Sequence, residues 1–84
     1  MSEGILWFDK SPKLSIEEKV RNAAAYFKKK YNRAATMCLV HVSMMPKGVT
    51  TLNVDGITVK AWKAIIPSHF WVGEEYEIEK EVQA

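Results

Sequence analysis

Only one stretch of this chain repeats its apolar residues at helical spacing. Across residues 15–31, Ile16, Val20, Ala23, Ala24, Phe27 and Tyr31 recur three and four apart, which gathers them into one stripe. Elsewhere the apolar residues come in short runs or alternate with a period of two, the spacing of strands. A lone helix with one apolar stripe must bury it, and here only sheet is available to cover it. The expected fold is therefore α+β, with one amphipathic helix packed on a small, mainly antiparallel sheet of about four strands. The 84 residues suit a single domain over 1–84, in which roughly 60% of the unfolded surface is hidden.

The helix carries its own end signals. Ser15 with Glu18 three residues later is a capping box, Lys28, Lys29 and Lys30 fall in the last turn where cations oppose the helix dipole, and Asn32 suits a left-handed cap. Glu17 and Arg21 stand four apart on the outer face as an acid-then-base pair. Residues 36–43, TMCLVHVS, read as a central strand buried on both faces. Two strand-like runs flank Asp55-Gly56, the dipeptide of a two-residue type I′ hairpin. On the second arm Ile57, Val59 and Ala61 alternate with Thr58, Lys60 and Trp62, predicting one buried and one wet face. Phe70, Trp71 and Val72 form a further short apolar run after a bend at Pro67, Ser68 and His69. The opening residues 1–13 are expected to form an arm or an edge strand. The tail 74–84 alternates Tyr76, Ile78, Lys80 and Val82 with glutamates, which favours an edge strand with an acidic face.

Composition excludes several classes. Hydrophobic residues make up 48% and charged residues 26%, too apolar for a disordered chain. One cysteine, Cys38, rules out an intramolecular disulfide framework and suits a reducing cytoplasm. The longest early apolar run, Ile5 to Phe8, is far too short for a signal peptide core or a membrane span. The net charge of +2 hides an asymmetry: residues 1–73 hold eleven Lys and Arg against five Asp and Glu, whereas 74–84 hold five Glu and one Lys.

No sequence feature assembles a catalytic or metal centre, and no cofactor or small-molecule ligand is expected. Zinc needs about four ligands, and the natural nitrogen or sulfur donors are only Cys38, His41 and His69. Cys38 sits in the most apolar run of the chain, where a free thiol behaves as a small hydrophobe rather than a nucleophile. There is no phosphate-binding glycine loop, nucleophile elbow or paired-cysteine motif.

Two surfaces are candidates for binding. Lys28, Lys29, Lys30, Arg33, Lys47, Lys60 and Lys63, interleaved with Tyr31 and Trp62, combine phosphate-neutralising cations with stacking rings, as an RNA or single-stranded DNA surface requires. A lysine run at a helix end is more simply a solvated turn that offsets the dipole, and that reading is favoured over nucleic acid. Trp7, Phe8, Trp62, Phe70 and Trp71 offer more aromatic surface than so small a core can hide, which points to a protein interface. The expected function is a small, cytoplasmic, non-enzymatic interaction module that self-associates through a sheet edge and these aromatic residues. A nucleic-acid-binding accessory protein is the alternative, and a small nuclease-like enzyme the third reading.

Overall fold

The computed structural model describes residues 4–74. Five strands and one helix follow in the order β1 (Gly4–Phe8), α1 (Ile16–Tyr31), β2 (Met37–Val40), β3 (Thr51–Val54), β4 (Ile57–Ala61) and β5 (His69–Gly73), with a short 3-10 turn, Val42–Met44, after β2. The sheet order is β1-β5-β2-β4-β3. Three of the four pairings are antiparallel, and β2 with β4 is parallel. The α+β arrangement expected from the helical stripe is thus present. The sheet is mixed, and it has five strands because the opening apolar residues form an edge strand rather than a free arm. β5 lies between β1 and β2, so the unit β1-α1-β2 is a split β-α-β in which the helix spans the inserted strand.

The helix begins and ends where its local chemistry dictates. Ser15 Oγ accepts from the Glu18 backbone N–H at 3.1 Å, while the Glu18 carboxylate accepts from the Ser15 N–H at 3.2 Å. At the other end Asn32 is left-handed (φ 57°), and its N–H donates to the Lys28 carbonyl at 2.7 Å. The stripe delivers Val20, Ala23 and Phe27 to the interior, all fully buried. They are joined there by Cys38 and Val40 of β2, Val59 of β4, and Phe70 and Val72 of β5. Besides the Glu17 charge expected beside it along the helix, which does act on it, Arg21 has a closer partner: its Nε donates to Asp55 Oδ2 at 2.8 Å and so ties mid-helix to the hairpin turn. That bond is also the main reason the guanidinium pKa is raised.

The Asp55-Gly56 turn forms as expected, with φ of 52° and 86° at the two residues. The expectation of a strand over 36–43 buried on both faces is corrected. β2 is shorter and buries only Cys38 and Val40, while Met37 and Leu39 are half-buried, because the one helix among the described residues covers one face of the sheet. His41 leaves the ladder and caps the 3-10 turn, its Nδ1 accepting from the Ser43 N–H at 3.1 Å. The expected acidic edge strand over 74–84 lies outside the described residues apart from Glu74, which pairs with Arg33 at 2.9 Å.

Candidate interaction surface

Strand pleat and register divide every strand between two faces. Cross-strand partners share a face, so the chain of pairings Ile5–Val72–Cys38–Val59–Leu52 and Trp7–Phe70–Val40–Ala61 runs beneath the helix. The intervening residues form the opposite, open face: Leu6–Trp71–Leu39–Lys60–Thr51 in one row, Gly4–Gly73–Met37–Thr58–Asn53 in the next, and Phe8 beside His69.

This division sorts the aromatic residues expected at an interface. Phe70 is fully buried beneath the helix. Trp7 also faces the helix, its ring 5.2 Å from that of Tyr26, and its buried Nε1 finds no hydrogen-bond partner among the described residues. Phe8 and Trp71 lie on the open face. Phe8 is 56% exposed and its ring lies 4.9 Å from that of His69, tilted by 50°; the His69 Nδ1 donates to the Pro67 carbonyl at 3.1 Å. Trp62 is half exposed just past β4; its N–H donates to the Val40 carbonyl at 2.7 Å, continuing the β2–β4 pairing in phase with Lys60.

The basic residues are split between layers. Lys28, Lys29 and Lys30 occupy the last turn of α1, on the covered side of the sheet, with Arg33 just beyond. Tyr31 is held there between Phe27, at 4.8 Å ring to ring, and the Lys30 ammonium at 5.6 Å. Lys60 stands on the open face with Trp62 close by in sequence. Lys63 follows in an exposed turn, and Lys47 occupies the exposed Pro46–Val49 turn. The lysine and aromatic residues read together from the sequence therefore form two separate groups.

The edge strand β1 has its own geometry. The Asp9 N–H donates to the Ser68 carbonyl at 2.9 Å, so the backbone groups of alternate residues Ile5 and Trp7 turn toward β5 and those of Leu6 and Phe8 turn outward, away from the sheet. Edge strands are ordinarily protected by charges, prolines or bulges. The sequence GILWF has none of these, and its pairing with β5 is unbroken. Exposed apolar side chains flank this edge on both faces, Leu6 at 61% and Phe8 at 56% on the open side and Tyr26 at 46% on the helix side. The sequence signal for this edge was the uncharged apolar run itself.

The remaining candidate groups do not converge. Cys38 is buried, and burial pushes its thiol up to about 12. No group of three or more His, Cys, Asp or Glu suited to a metal ion occurs among the described residues, and no helix there is long and apolar enough to cross a membrane. Comparison with known protein families, curated proteins and solved structures gives no match to this chain.

Proposed function

We propose that this protein is a non-enzymatic interaction module that pairs with a second copy of itself through β1. The observation that carries this reading is the unprotected β1 edge, with the outward backbone groups of Leu6 and Phe8 flanked by exposed Leu6, Phe8 and Tyr26. A second β1 running antiparallel across a twofold axis satisfies both sets of backbone groups and covers those side chains, joining two sheets into one. Trp7 and Phe70 act from beneath, holding β1 flat against the helix, rather than as contact residues.

Sedimentation over a range of concentrations tests the reading, with an expected mass of twice the 9.6 kDa of one chain. Leu6→Pro is the discriminating variant. It deletes an N–H that points away from the sheet, which a monomer tolerates and an edge-paired dimer does not. Leu6→Thr keeps the N–H and is expected to retain more of the dimer. A mass that stays at that of one chain up to high micromolar concentration overturns the proposal, as does a dimer that Leu6→Pro leaves intact.

A further inference from the structure

We propose that the open face of the sheet binds an unpaired nucleic-acid strand, with bases stacked on Trp71 and His69 and a phosphate held by Lys60. The first observation is the attitude of Trp71. A Cβ on Gly4 would run into Cζ2 and Cε2 of the indole and approach Nε1 to 2.7 Å. The indole therefore reaches across the Gly4 position, in the row where Gly4 faces Gly73, and is itself only partly covered. A partly covered indole reaching over a glycine, on the face away from the helix, leaves ring surface on which a base can stack.

The second observation is charge. Every strand position on this face is apolar, hydroxyl, amide, imidazole or ammonium; none is a carboxylate. The face is graded, apolar over β1, β5 and β2 apart from His69, and polar over β4 and β3, where Lys60, Thr58, Thr51 and Asn53 stand. In the Trp71 row, Lys60 lies two strands from the indole, about 10 Å at ordinary strand spacing. A base on the ring thus leaves its backbone near the ammonium. One ammonium and no carboxylate among the described strand positions of this face suit a polyanion, and partly open rings select a strand whose bases are not already stacked in a duplex. The helix-end lysines, in the other layer, take no part. The inference does not depend on β1 pairing, because a second β1 covers Leu6 and Phe8 at the edge and leaves Trp71, His69 and Lys60, on strands further in, open.

The test uses the full chain and fluorescent oligomers of about twelve nucleotides, oligo-U RNA and oligo-dT DNA, at about 50 mM salt. Anisotropy and quenching of tryptophan emission are the readouts, and inorganic polyphosphate is the control for charge without bases. Both oligomers are expected to bind and quench, and their ratio reports any contact with the 2′-hydroxyl. Trp71→Ala is expected to weaken binding about five- to a hundredfold. Lys60→Ser should reduce the salt slope by about one. Changing Lys28, Lys29 and Lys30 together to Ser should alter affinity less than Trp71→Ala does. If Trp71→Ala does not fold, His69→Ala and Lys60→Ser, at half-buried and exposed positions, carry the test. No binding overturns the proposal. So does equal competition by polyphosphate with the open-face variants unaffected, or a Trp71→Ala variant that dissociates a dimer while leaving oligonucleotide binding unchanged, which would make the face a protein interface.

Discussion

The indole of Trp71 occupies the space that a side chain on Gly4 would need. The two residues stand diagonally across the β1–β5 pair, since Trp71 faces Leu6 and Gly4 faces Gly73. Because the colliding atoms belong to the far side of a ring on an uncovered face, the ring can swing away, so Gly4→Ala is expected to cost no more than about 1 kcal/mol. Its consequence is orientation. The near-ultraviolet circular dichroism assigned to Trp71 by comparison with Trp71→Phe should change, while the urea midpoint barely moves. An unchanged Trp71 spectrum in Gly4→Ala would show that the ring does not lie across the glycine.

Gly56 presents the opposite case. A Cβ there meets nothing within 4 Å, yet its φ of 86° lies in the region that L side chains avoid. The cost of substitution is therefore conformational alone. Gly56→Val is expected to destabilise by about 1–3 kcal/mol, and Gly56→Asn by clearly less, since asparagine tolerates the left-handed region. Urea unfolding of the two variants distinguishes this from a packing effect, which would penalise both alike.

Adjacent helix positions should behave differently. Phe27 is fully buried against the sheet, and Phe27→Ala is expected to cost about 3–5 kcal/mol. Tyr26, 46% exposed, makes its aromatic contact with Trp7, and Tyr26→Ala should cost far less. Comparable losses in thermal unfolding would mean that α1 sits at a different rotation on the sheet.

What could be read from the sequence was what local chemistry decides. The capping box at Ser15, the left-handed Asn32 and the Asp55-Gly56 turn each depend on residues within a few positions of one another, and all three stand as read. Strand order was not legible. The insertion of β5 between β1 and β2 brings Gly4 opposite Gly73 and Gly73 opposite Met37, pairings that no short-range pattern encodes. The same gap affected the site. Phe70 and Trp71 are neighbours in one apolar run, but the pleat sends Phe70 into the core and Trp71 to the open face, and only the phase of β5 relative to the helix decides which. The lysines of α1 and Lys60 looked like one basic surface because sequence does not reveal that a sheet separates them.

Cys38 yields a prediction with a definite sign. Burial raises its thiol from 9.0 to about 12, so the folded state keeps a proton that the unfolded chain releases. Below about pH 9 the thiol is protonated in both states and its contribution to stability is constant. Between there and the raised value the unfolded chain binds fewer protons, so stability falls with rising pH by up to about 1.4 kcal/mol per pH unit from this group. Tyrosine and lysine titrate in the same range, but they are common to the protein and its Cys38→Ala variant. The difference between the two unfolding free energies, followed by urea titration from neutral to alkaline pH, isolates the thiol. The advantage of the natural chain over the variant should shrink as pH climbs past 9, and a thiol-specific reagent should modify Cys38 only at the rate of unfolding. Parallel curves, or rapid modification of the native protein, would show that Cys38 is open to solvent and that the β2 face beneath the helix is not sealed.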